Sequence, residues 1–112
     1  MNQVTKITTC RDETGAVVKC VGEMDLANAD ELNKALEGAS GSRLTVDLRS
    51  ADYIDSAIIQ AVMRAGLELL RRNDRLRVLV ASGSHPDYVL RELGFESVLD
   101  IECCAESEGR DE

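Results

Sequence analysis

The chain has 112 residues, enough for one domain whose core needs no metal or disulfide staples. Its 21 acidic residues outnumber its 13 basic ones, and it has one Phe, two Tyr and no Trp. That charge disfavours nucleic acid and anionic membrane surfaces, and so few aromatics leave no base-stacking platform.

Along the chain, Val4 to Cys10 and Ala16 to Val21 alternate as two strands, joined by the polar, Gly-bearing segment Arg11 to Gly15, a hairpin loop. Gly22-Glu23-Met24-Asp25 then breaks the strand pattern. A helix is expected from Asn28, with Glu31 three residues on as a capping-box partner and Ala29, Leu32, Ala35 and Leu36 as its apolar face. The segment Gly38 to Ser42 closes it. Leu44 to Leu48 alternates as a third strand, and Arg49 to Asp55 reads as a polar connection. A longer helix is expected near Ser56, with Ile58, Ile59, Val62, Ala65, Gly66, Leu69 and Leu70 on its apolar side. Arg71 and Arg72 place cations at the end the helix dipole favours.

Leu76 to Ala81 is almost wholly apolar, as in a strand of a parallel sheet. Pro86 is expected at the first position of a short helix that buries Val89, Leu90 and Leu93, and Gly94 as its left-handed stop. Val98 to Ile101 is a final strand. Residues 1–103 are read as a single domain and 104–112 as an acidic, flexible tail. The order β-β-α-β-α-β-α-β implies an α/β fold with a mixed sheet of four to five strands and helices packed on it.

Asp55-Ser56 stands where a loop meets the long helix. Ser56 is read as its N-cap, because a hydroxyl there accepts from an orphan backbone N–H. The same position suits a phosphate, since backbone N–H groups and the helix dipole favour a dianion. Other candidates read as structural. Cys10, Cys20, Cys103 and Cys104 lack metal-site spacing and are expected as free thiols in a reducing compartment. Cys10 and Cys20 lie on strands expected to pair, which leaves a cross-strand disulfide geometrically open. His85 is read as capping a helix or facing solvent, and Arg71, Arg72, Arg75 and Arg77 as a solvated cluster. Asp47 would suit a phosphate-accepting receiver, but the first strand ends in Cys10 and no Lys follows Lys34. No Gly-rich phosphate loop, zinc motif or nucleophile elbow is present, so neither an enzyme nor a cofactor is expected. With no signal-like N-terminus and no apolar run of about 20 residues, a cytoplasmic protein without membrane insertion is expected.

Gly22-Glu23-Met24-Asp25, the strand ending Val46-Asp47-Leu48, Tyr53-Ile54-Asp55-Ser56-Ala57 with its apolar helix, and Leu93-Gly94-Phe95 together resemble the STAS family. Within it they are most similar to bacterial anti-sigma-factor antagonists. The resemblance spans about residues 4 to 102. It implies the STAS fold, with helices mainly on one face of the sheet. It implies a protein-binding switch whose unphosphorylated form binds an anti-sigma factor with serine-kinase activity and so releases a sigma factor. Phosphorylation at Ser56 would end that binding, and a serine phosphatase would reverse it. The implied partner-binding residues are Glu23, Asp25, Asp55, Ser56, Ala57 and Ile58, on a monomer or weak dimer. Many antagonists follow the serine with a small residue and then Gly; here Ala57 is followed by Ile58-Ile59, which implies a different partner surface or a serine that is not phosphorylated. The alternative within the family is a constitutive scaffold subunit of a lipid-transport ATPase or a stress-signalling complex.

Overall fold

A computed structural model describes residues 5–39 and 43–104. Its elements run β1 (Lys6–Asp12), β2 (Gly15–Met24), α1 (Leu26–Gly38), β3 (Leu44–Ile54), α2 (Ser56–Arg71), β4 (Arg77–Ala81), α3 (His85–Glu92), a 3-10 turn (Phe95–Ser97) and β5 (Asp100–Cys104). The five strands lie in sequence order, β1 antiparallel to β2 and the rest parallel. Each step from β2 to β5 moves to the neighbouring strand through a helix. Right-handed crossovers that always step the same way place the helices on one face.

The strand registers agree with that layering. Val18, Val46, Val78 and Ile101 are successive cross-strand partners, and the first three are fully buried. They share one core with Leu32 and Leu36 of α1, Ile58, Val62 and Leu69 of α2, and Leu90 of α3. Lys19, Asp47, Leu79 and Glu102 are partners on the opposite face. Asp47 is 4% exposed there. Burial alone would push its carboxyl up, but three hydrogen bonds from Arg49 (Nε 3.0 Å, Nη2 2.9 Å, backbone N 3.0 Å) hold it below the usual carboxylate range.

Several element bounds differ from the sequence reading, for local reasons. Strand β2 continues through Gly22-Glu23-Met24, and β3 continues through the segment expected as a polar connection. Their register shifts twice, between Lys19 and Val21 and between Gly22 and Glu23, each time leaving an extra residue on β3. Such bulges destroy the two-residue alternation by which a strand is recognised in sequence. Gly22 carries a φ of 93° at the second of them. The β1–β2 hairpin is tighter than expected: Asp12 Oδ1 accepts from Thr14 N and Gly15 N, and Ala16 N–H donates to the Arg43 carbonyl at the start of β3 at 2.8 Å.

Ser84 caps α3, so Pro86 occupies its second position rather than its first, and Gly94 takes the expected left-handed conformation at φ 72°. Strand β5 begins two residues later than expected and includes Cys104, where the sequence reading begins the tail. The rest of that tail, 105–112, lies outside the described residues. Cys10 pairs with Val17 and Cys20 with Ile7; Cys10 is exposed while Cys20 is buried. The two thiols therefore point to opposite faces, and all four cysteines are free.

Candidate functional site

Strands β2 and β3 end side by side, with Met24 paired to Ile54. Each is followed by an aspartate and then a helix, so the N-termini of α1 and α2 meet at one edge of the sheet. The carboxyl ends of parallel strands are where α/β sheets place their binding sites.

Asp25 is the N-cap of α1. Its carboxylate accepts from Ala27 N at 3.0 Å, and Asn28 Oδ1 accepts from Asp25 N at 3.1 Å. Asn28, expected as the cap, is thus the third helical residue and closes the capping box from inside. The helix starts earlier than the sequence suggested because β2 delivers Asp25 in an extended conformation, φ −140° and ψ −167°.

Asp55 caps α2. Its Oδ1 accepts from Ala57 N (3.0 Å) and Ile58 N (3.1 Å), while Oδ2 reaches across to Leu26 N at the start of α1 (3.0 Å). One carboxylate therefore holds two helix starts together. A serine hydroxyl has neither the reach nor the second oxygen to serve both. Negative charge at this point also suits both dipoles. Ser56, expected as the cap, is displaced to the first helical position. Its side chain is exposed and makes no hydrogen bond with any described residue. It stands beside the Asp25 turn, as the Leu26–Asp55 bond requires.

Of the other expected site residues, Glu23 is exposed, and Asp25, Asp55 and Ala57 are half-buried. Ile58 is not available to a partner. It is 0% exposed and packs in the core, so its expected contact role is corrected. Asp52 is exposed on the last stretch of β3 and adds to the acidic character of this edge.

Two features escaped the sequence. Leu26 is 74% exposed, an apolar projection directly beside the double cap. His85 does not cap α3: half-buried, its ring stacks on Tyr53 (centroids 4.6 Å apart, 26° between planes), and its Nδ1 accepts from Ile54 N at 3.1 Å. No local pattern announces either contact, because both depend on residues about thirty positions apart.

The remaining candidates are structural. Asp47 is committed to Arg49. Of the arginine cluster, Arg71 and Arg72 stay exposed beside Glu68, as the sequence reading expects, while Arg75 donates to the carbonyls of Glu96, Ser97 and Leu99 and Arg77 pairs with Glu102. Burial, aided by Asp47 and Glu31, pushes the Cys20 thiol up to about 12, while Arg49 lies against Cys104. Among the described residues no acidic, Cys or His cluster could hold a metal, and no helix is long and apolar enough to cross a membrane.

The model of the family described as "Mlab, STAS domain" matches residues 7–100. The chain superposes on an anti-sigma factor antagonist from Mycobacterium paratuberculosis with a TM-score of 0.75 and 16% identity, covering 88% of this chain and 85% of that one. It superposes on the anti-sigma factor antagonist SpoIIAA in its unphosphorylated form with a TM-score of 0.63 and 14% identity, covering 94% and 93%. An antisigma-factor antagonist STAS domain from Rhodobacter sphaeroides gives 0.52 and 20%, covering 70% and 88%. No curated protein sequence matches the chain.

Proposed function

This chain belongs to the STAS domain family, and we propose that it works there as an anti-sigma-factor antagonist, a phosphorylation-controlled binder of an anti-sigma factor. The observation that carries the reading is the state of Ser56: exposed, at the first turn of α2, with a hydroxyl that the double cap leaves unused. A kinase can take this hydroxyl without dismantling the helix start. The chain is then the substrate of phosphate transfer and not its catalyst.

The docking face is formed by Glu23, Asp25, Asp55, Ser56 and Ala57, with Leu26 at its centre. A phosphate adds about −1.5 to −2 charges at neutral pH. Beside Glu23, Asp25, Asp52 and Asp55 it concentrates negative charge on a surface that the partner meets as a neutral hydroxyl. Repulsion, bulk and desolvation of a few kcal/mol weaken binding by about a hundredfold or more. The partner is an anti-sigma factor with serine-kinase activity, and a serine phosphatase restores the binding form.

The test is incubation with a serine-kinase anti-sigma factor from the same organism and ATP, followed by intact-mass and peptide mapping. The expected product carries one phosphate on Ser56, and Ser56→Ala carries none. Size-exclusion chromatography should show a complex with the unmodified chain that Ser56→Asp fails to form. A second reading, a constitutive scaffold subunit of a lipid-transport ATPase or stress-signalling assembly, is favoured by Ile58 in the place of the common glycine. It requires a complex indifferent to Ser56→Asp and no label on Ser56, a pair of results that would overturn the switch.

A further inference from the structure

Strand β3 outruns its neighbour. It pairs with β4 only across Thr45–Asp47, yet it continues to Ile54, so its last residues extend past the β4 ladder. At that extension the side chain of His85, from the start of α3, stands in for a strand partner: Nδ1 accepts the Ile54 N–H at 3.1 Å. Ile54 is 1% exposed, so water is a poor substitute acceptor for that donor. The stacked Tyr53 ring holds the imidazole in place.

From this geometry we propose that His85 is a proton-operated latch: with Nδ1 unprotonated it fastens α3 to the strand end that carries Asp55 and Ser56, and with Nδ1 protonated it releases that end. A neutral imidazole has one donor and one acceptor nitrogen, whereas an imidazolium has two donors. Protonation therefore sets N–H against N–H at Ile54. It also places a cation at the first residue of α3, where the helix dipole opposes it.

The neighbouring titratable groups do not relieve this. On the β3 side, Tyr53 stacks flat on the ring, Asp52 is exposed, and Asp55 is committed to three backbone N–H groups. On α3, Asp87 accepts from Gly83 N and pairs with Arg91, and the β5 thiol of Cys103 also donates to it. Tyr88 is exposed. The residue released, Ile54, is one position from the double cap. The latch thus acts on the setting of the Ser56 site, and it concerns this chain alone, whichever partner that site serves.

The experiment uses the full chain labelled with nitrogen-15. Its one histidine makes the ring signals unambiguous. Imidazoles ordinarily titrate between about pH 5 and 8. The ring nitrogen shifts near neutrality and above should show Nδ1 without a proton. After correction for intrinsic exchange, protection of the Ile54 amide should fall at least tenfold, on the order expected for one linked proton, between about pH 7.5 and pH 5. The Val46 amide, in the paired centre of β3, should not follow. His85→Asn, whose Oδ1 accepts but does not titrate, should keep Ile54 protected at both pH values. His85→Phe, which keeps a ring over Tyr53 but no acceptor, should leave it unprotected at both. A protonated Nδ1 at neutral pH, or Ile54 protection in the wild type that ignores pH, overturns the latch. So does a pH response that survives in His85→Asn. The ring shifts and the wild-type exchange decide the matter even where a variant does not fold.

Discussion

Replacing Asp55 by alanine removes three acceptor contacts at once. Two of them, to Ala57 N and Ile58 N, are the N-cap of α2; the third, to Leu26 N, ties in α1. Loss of an N-cap costs about 1 kcal/mol and up to about 2. The bond to Leu26 comes from a charged acceptor, but Leu26 is largely exposed, so its share is discounted to about 1 kcal/mol. The expected total is about 2–3 kcal/mol, a large part of the roughly 5–15 kcal/mol that holds a domain together. For a domain of about 100 residues that corresponds to a fall in Tm of about 10–20 °C. Urea denaturation followed by circular dichroism at neutral pH measures it directly. Asp25→Ala, which uncaps α1 only, is the internal comparison and should lose about 1 kcal/mol. Asp55→Asn keeps a capping oxygen and should fall between the wild type and Asp55→Ala. An Asp55→Ala protein within about 0.5 kcal/mol of wild type, the range of an ordinary surface change, would refute the double cap. So would one no less stable than Asp25→Ala.

Three further outcomes are expected. Ser56→Ala should change stability by less than about 0.5 kcal/mol, because the hydroxyl takes no part in the cap; a loss of 1 kcal/mol or more, about what an N-cap contributes, would return the capping role to Ser56. Gly15→Ala should destabilise by about 2 kcal/mol or more, since φ is +152° and the new Cβ would run into the Arg43 carbonyl that Ala16 N–H also uses; denaturant midpoints test it. Asp47 is held below its unfolded value by Arg49, so its contribution is present above about pH 4 and is lost as pH falls through the depressed native value. Asp47→Asn should therefore flatten the fall in stability on acidification, read from urea midpoints between about pH 6 and pH 3; an unchanged slope would show that the pair contributes nothing to acid sensitivity.

What was legible in the sequence was whatever repeats within one element. The 3.6-residue spacing of Leu32 and Leu36, or of Ile58, Val62 and Leu69, follows from the helix that buries them. The apolar run Leu76 to Ala81 follows from a strand between neighbours, and Gly94 from a left-handed stop. Those signals, in order, were enough for the mixed α/β sheet and for the placing of Ser56 at a helix start. Their limits were equally physical. Two bulges on β3 broke the period by which its second half would have been read, so a strand looked like a loop. Asp25 and Asp55 lost their capping roles on paper to Asn28 and Ser56, because Asp, Asn and Ser cap almost equally well and local preference alone does not choose among them.

That choice belongs to the tertiary structure. Only the parallel pairing of β2 with β3 sets Leu26 N–H within 3.0 Å of Asp55, and only then does one carboxylate serve two helices and leave the neighbouring hydroxyl unclaimed. His85 turned onto Ile54 for the same reason: its orientation depends on a partner distant in the chain. A side chain's type is written in the sequence. Its assignment among competing donors and acceptors is made where separate segments meet, because a hydrogen bond is decided over tenths of an ångström that local propensity does not control.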